Sequence, residues 1–386
     1  MMERGKIMKL EKKNILFIAV IFFWFGQYVY IPYQTPYLTL IHTSASFIGL
    51  IVGTYGISQM VLRLPVGLLA DYKNKHKVIM MIGSLSSGMA SLFRIIFNNG
   101  IGFLIGNLFS GLASAMWISF MVMYMSFYDQ DHQAKATSSI VVANNLGMLI
   151  GFITSTLLYD VVGMTFICML SVLSGLISAF FIFLLPKEEA QPTTKTIPSL
   201  LKICLQKNLI VYSLLALVQQ GVQMTTTMSF TNQIIKNLGA TSLQIGLSSI
   251  IYMLSAVCFA KMASSKLCMS LSTGKWITIT FFTTAIYCIL VPQCSSLYLL
   301  YILQILPGMA TGILFSYLTS EAMKYVPQEC KSTAMGFFQA VYALGMTLFP
   351  IICGHIVSVS SMLYAYLFLA CICIIAGLLS AIYCKS

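Results

Sequence analysis

The chain has 386 residues, of which 58% are hydrophobic and 8% charged, with a formal charge of +12. Soluble domains carry about 25% charged residues, so this chain cannot cover itself with a water-facing surface. The basic residues are neither gathered on one polar helix nor interleaved with aromatics, which excludes a nucleic-acid binder.

Apolar runs of about 20 residues, the thickness of a bilayer core, recur from Asn14 to Cys384. The first, at 14–40, follows a basic start but is too long for a cleaved signal core, so it is read as a retained span. Further spans are predicted at 46–70, 78–97, 101–126, 137–160 and 163–185. After a polar connector they resume at 208–234, 243–262, 276–293, 298–323, 333–356 and 362–383. Twelve such helices occupy roughly 250 positions, leaving no room for a soluble domain of ordinary size.

With a cytoplasmic N-terminus, every Lys and Arg except Arg63, Arg94 and Lys236 falls in a cytoplasmic loop or end. By the positive-inside rule both termini are cytoplasmic, as an even number of spans requires. The expected organisation is an N-terminal six-helix bundle at 1–185, a cytoplasmic connector at 186–207 and a C-terminal six-helix bundle at 208–386. The eleven cysteines are scattered through apolar segments without a C-x-x-C pair and read as packing residues.

The halves repeat. Ile48-Gly49-Leu50 returns as Ile245-Gly246-Leu247, Asn107-x-x-x-Gly111 as Gln304-x-x-x-Gly308, and Gly147 as Gly345, all at a near-constant offset. Two pseudo-symmetric bundles related in this way form the parallel-repeat architecture of a rocking transporter, with the solute held between the halves.

After span 2 comes Gly67-Leu68-Leu69-Ala70-Asp71-Tyr72-Lys73-Asn74-Lys75-His76-Lys77. This resembles the loop signature of the major facilitator superfamily, G-x-L-A-D-(basic)-x-G-(basic)-(basic), with Tyr72 in place of a basic residue and Asn74 in place of glycine. The resemblance implies the all-α twelve-helix facilitator fold and a cytoplasmic gate. In that gate Gly67, Asp71 and Lys75 meet the start of span 11 at Ser332. The span 5 antiporter signature of this superfamily is altered here: Gly147 and Gly151 remain, but Phe152 and Ser155 replace proline and glycine. A better ladder, Gly336, Gly345 and Pro350, stands in span 11, where close helix packing accounts for it.

Amides are costly in hydrocarbon and face a bundle interior or a watery cavity. Cavity candidates are Gln27, Tyr30 and Gln34 in span 1, Tyr55 and Gln59 in span 2, Asn107 and Trp117 in span 4, and Asn144 in span 5. The second half adds Gln220, Gln223 and Thr227 in span 7, Tyr252 in span 8, Gln304 in span 10, and Gln339 and Tyr342 in span 11. The Gln27, Tyr30, Gln34 spacing recurs as Gln220, Gln223, Thr227, so one pathway lined by both stripes is expected.

No ionisable residue lies near the middle of a span, which favours a neutral or weakly cationic amphipathic solute over an anion. Glu321, Asp160 and His355 are the candidates for coupling to protons. Export by a monomer in the cell membrane is the first reading of direction, and uptake of a neutral polar nutrient is the alternative. Four dispersed histidines and no clustered carboxylates leave no catalytic, metal or cofactor site to expect.

Overall fold

The computed structural model describes residues 11–73, 75–128, 133–186, 200–263, 271–327 and 330–384, without the side chains of 71–73, 133–135, 137–138 and 331. Among the described residues there are helices and no strands. The membrane-length helices are α1 (Lys12–Leu40), α2 (Ala45–Ala70), α3 (His76–Ile96) and α4 (Gly100–Met125). A 52-residue run, Gln133–Leu184, supplies α5 and α6. In the second half lie α7 (Lys207–Asn237), α8 (Ser242–Ala263), α9 (Thr273–Gln293), α10 (Leu297–Met323), α11 (Ser332–Val359) and α12 (Met362–Tyr383).

Among the described residues eleven helices are long and apolar enough to cross a membrane, and the longest is two spans in one. Gly163 interrupts it with φ 72° and ψ 177°, a conformation that side-chain-bearing residues avoid. The chain reverses there. Gly147 and Gly151 of α5 climb along α1 in parallel, against Ile21 and Val29. Ser171, Ser174 and Ser178 of α6 descend it, donating to the carbonyls of Gly26, Phe22 and Ala19.

Outward faces are continuous apolar stripes. On α3, Val78, Ile82, Leu85, Met89, Leu92 and Ile96 are all exposed at helical spacing, and α6 shows the same with Phe166, Met169, Leu173, Leu176, Phe180 and Phe183. Exposed rows of this size suit hydrocarbon and not water.

The repeat holds at the level of contacts. Asn107 Nδ2 donates to the Ile51 carbonyl at 2.8 Å and Gln304 Nε2 to Ser248 Oγ at 2.7 Å, at equivalent places in α4–α2 and α10–α8. Gly111 packs on Tyr55 and Ser58, and Gly308 on Tyr252 and Ser255. The Tyr55 hydroxyl meets Ser114 Oγ at 2.7 Å and the Tyr252 hydroxyl meets Thr311 Oγ1 at 2.9 Å. The small residue in the interior helix is what lets each pair of backbones approach.

The two bundles meet mainly through α2 and α11, which run antiparallel along their whole length. Gly49 faces Pro350 and Gly354, Gly53 faces Thr347 and Ile351, Gly56 faces Thr347 and Ala343, and Gly67 faces Ser332. A β-carbon at Gly53 would sit 2.6 Å from the Thr347 carbonyl oxygen, so any larger side chain must push the helices apart. Gly53→Leu is therefore expected to destabilise the protein by about 1–3 kcal/mol, as overpacking does. Thermal unfolding in detergent reads this, with the lipid-facing Leu247→Ala as a control of little effect.

Candidate functional site

Four helices are discontinuous, and they occupy equivalent places in the two halves. α1 breaks between Tyr28 and Ile31, ahead of Pro32 and Pro36. α4 breaks at Met116. α7 contains a π-helical turn at Thr226–Phe230, and α10 contains another at Ala310–Leu314 after a break at Gln304. Such turns release backbone groups from the regular ladder and concentrate at functional sites.

Between the bundles lies a cavity lined by Gln27, Tyr28, Tyr30, Ile31, Tyr55 and Asn107 of the first half and by Met224 and Met228 of the second. About 10 Å³ is open to the centre of a water molecule, the space of about one water. A larger solute can enter only if the halves move apart.

Gln27 is 2% exposed and neither of its amide atoms has a hydrogen-bond partner. A buried amide left unpaired costs about 1–3 kcal/mol, so this side chain destabilises the empty protein. Gln27→Leu is expected to leave the melting temperature unchanged or raised while weakening solute affinity at least about tenfold. A fall in melting temperature with unaltered affinity would place the role of Gln27 in packing.

A second cavity lies inside the C-terminal bundle, lined by Gln219, Gln223, Thr226, Thr284 and Thr311 among apolar residues of α7, α9, α10 and α12. Gln219 Nε2 donates to Gln223 Oε1 at 3.1 Å, and Gln223 Nε2 to the Tyr252 hydroxyl at 2.6 Å.

The four amides expected on one pathway are therefore divided. Gln27 faces the central cavity and Gln223 the second one, while Gln34 is fully buried without a partner and lines neither. Gln220 is half-buried and also lines neither, whereas its neighbour Gln219 takes the inward position. The break in α1 falls between Gln27 and Gln34 and shifts the register between them, whereas Gln219, Gln220 and Gln223 share the regular helix Lys207–Thr225, whose rotation against its neighbours turns Gln219 inward.

Other candidates fall elsewhere. Thr227 bonds back to the Gln223 carbonyl, Gln304 holds α10 to α8, and Trp117 stacks edge-on against Trp24 inside the first bundle. Asn144 is half-buried on α5 with its carbonyl oxygen unpartnered. Gly67 abuts the Ser332 carbonyl and Lys75 is exposed, while the Asp71 side chain lies outside the described residues. Asp160 and His355 are exposed, and Glu321 pairs with Lys324 at 3.4 Å. None of these three lines either cavity.

Two arginines that count only toward topology in the sequence are buried and bonded inside the protein. Arg94, 1% exposed, donates from Nη2 to the Tyr30 hydroxyl (2.9 Å), Asn107 Oδ1 (2.8 Å) and Ser110 Oγ (2.8 Å), and from Nη1 to Ser91 Oγ (3.0 Å). Its guanidinium lies 3.9 Å from the centre of the Tyr30 ring, and Gly106 leaves the space that its stem fills. Arg63, 4% exposed, donates to Gln59 on its own helix and to Gln339 and the Tyr342 hydroxyl across the seam on α11.

The expectation of an interior without cations is thereby corrected. Arg94 sits two residues from the end of α3, but its side chain turns back toward the helix N-terminus and inward. Position along a span does not report that reach. The argument for a neutral or weakly cationic solute loses its premise.

A profile of the Major Facilitator Superfamily matches residues 16–234 and 212–385. The chain belongs to the Major Facilitator Superfamily. It is 23% identical to an uncharacterized transporter of this type from Methanocaldococcus jannaschii, over 96% of this chain and 98% of the relative. An uncharacterized transporter of Buchnera aphidicola is 26% identical over 180 residues, 45% of this chain and 46% of that protein, so the match spans about half of the Buchnera relative.

Among solved structures, a variant of the nucleoside transporter NupG superposes with a TM-score of 0.78 at 14% identity, over 96% of this chain and 99% of that one. The POT family transporter PepTSo gives 0.76 at 13% identity, over 97% of each chain. The human organic anion transporter MFSD10 gives 0.67 at 14% identity, over 95% and 98%. These likenesses establish the facilitator fold.

Proposed function

We propose that this superfamily member is a secondary carrier that moves a small polar solute outward across the cell membrane by alternating access, holding it in the central cavity. The observation that carries the reading is that cavity: polar side chains of α1, α2 and α4 face Met224 and Met228 of α7 where the halves meet. Unbranched thioether side chains give the opposite wall an adaptable apolar surface.

Residues 1–185 and 208–386 act as the two rocking bundles, joined by the 186–207 connector, in a monomer with both termini cytoplasmic. The basic loops support that orientation. Gly67, Asp71, Lys75 and Ser332 serve as the cytoplasmic gate, which the contact of Gly67 with Ser332 supports. A carboxylate at the end of α2 opposes the helix dipole and seeks a cation or a helix N-terminus, here the start of α11. Asp71→Asn is expected to slow transport several-fold with near-normal expression, and unchanged kinetics would remove Asp71 from the gate.

The described lining of the cavity contains no carboxylate or imidazole, so the solute's own gradient and the membrane potential supply the driving force. Purified protein in vesicles of both orientations, offered a labelled solute panel with and without a proton gradient, tests the reading. Saturable movement of at least one solute that persists without the proton gradient is expected. Absence of carrier-mediated movement across the panel would overturn it.

A further inference from the structure

We propose that the solute is a small organic anion, a carboxylate above all, whose charge is balanced by Arg94. The inference rests on the transport reading above. A guanidinium stays protonated under all ordinary conditions, and a buried charge in a membrane protein normally pairs with another or marks an ion's path. Among the described residues that pairing partner is missing. Among the described residues the ion pairs are Lys13–Glu11 and Lys324–Glu321, and no carboxylate touches Arg63 or Arg94.

Arg94 is solvated by two serines, a tyrosine and an amide, and its Nε still lacks a partner. Neutral dipoles hold a cation in place without cancelling its field, and in a medium of low dielectric that field reaches farther than in water. Tyr30 and Asn107, which accept from Arg94, are themselves walls of the central cavity. The guanidinium is therefore one side chain away from a bound solute. The Tyr30 oxygen accepts from Arg94 and its hydroxyl shares a second hydrogen bond with Ser110 Oγ at 3.3 Å, while the unpartnered Gln27 amide supplies two N–H donors at the same cavity.

Donors backed by a fixed positive charge fit a carboxylate oxygen and repel an ammonium. The outward direction then needs no coupling ion, because an inside-negative potential of 100 mV favours expulsion of a monovalent anion by a factor of about 50.

The test uses matched probes on the full-length protein: short mono- and dicarboxylates, their primary amides and the amines of the same carbon skeleton. Thermal stabilisation in detergent and counterflow in vesicles are both read. A carboxylate is expected to stabilise and exchange at concentrations at least about tenfold below its amide, with the amine inactive. Arg94→Lys should retain the order of preference and Arg94→Gln should erase it, while the ratio on the unaltered protein stands even if both variants fold poorly. Amides or amines exchanging as well as carboxylates would overturn the anion inference and leave the carrier reading intact. Failure of every probe in both assays would overturn both.

Discussion

A disulfide joining Thr35→Cys to Ser229→Cys is expected to abolish transport, and a reductant is expected to restore it. The two side chains are 1% and 0% exposed and their Oγ atoms are 2.9 Å apart, linking the far half of α1 to the π turn of α7. Oxygens that close bring the β-carbons into the range a disulfide spans. The same end of the molecule is also closed by Tyr33, whose hydroxyl donates to the Ser242 carbonyl at 2.7 Å, and by Gly246 of α8 packed on Thr156 of α5. With a cavity that holds about one water, solute can pass this end only if α1 and α7 separate. A covalent link forbids it. Normal transport by the cross-linked protein, with cross-linking verified by mobility on a gel, would show that this seam never opens.

Arg63→Gln is expected to lower the transport rate tenfold or more and to weaken the seam between the bundles. Arg63 is held by Gln59 below it and by Gln339 and Tyr342 across α11, so one charged side chain ties both halves within the protein. Charged hydrogen bonds contribute about 1.5–3 kcal/mol each, and three on one group act as a unit and do not add. The glutamine keeps the stem and loses the fork that reaches two acceptors at once. The variant should make cysteines placed at Gly67 and Ser332 cross-link more slowly, since these backbones now touch. An unchanged cross-linking rate together with full transport would remove Arg63 from the machinery that moves.

Much of this architecture is present in the residues alone. Apolar run length set the twelve spans, because a helix in lipid must satisfy its own backbone and must be long enough to cross. The near-constant offset between Asn107 and Gln304 and between Gly111 and Gly308 exposed the two-bundle repeat, because equivalent helices need equivalent small residues where backbones touch. Gln27 and Asn107 were legible as lining residues because amides avoid lipid, and Tyr30 from its helical spacing to Gln27.

Tertiary structure alone decided the rest. Whether Gln219 or Gln220 faces inward depends on how α7 is rotated against the helices packed around it, and no residue period encodes that rotation. The assignment of Gln59, Gln339 and Tyr342 to a latch on Arg63 required α2 and α11 to be in register, a contact between residues far apart in the chain. Arg94 reads from its position as an interface residue, and only the fold shows its guanidinium turned inward onto Tyr30 and Asn107. A charge near a helix end can serve either the headgroups or the cavity, and the side chains packed around it decide which.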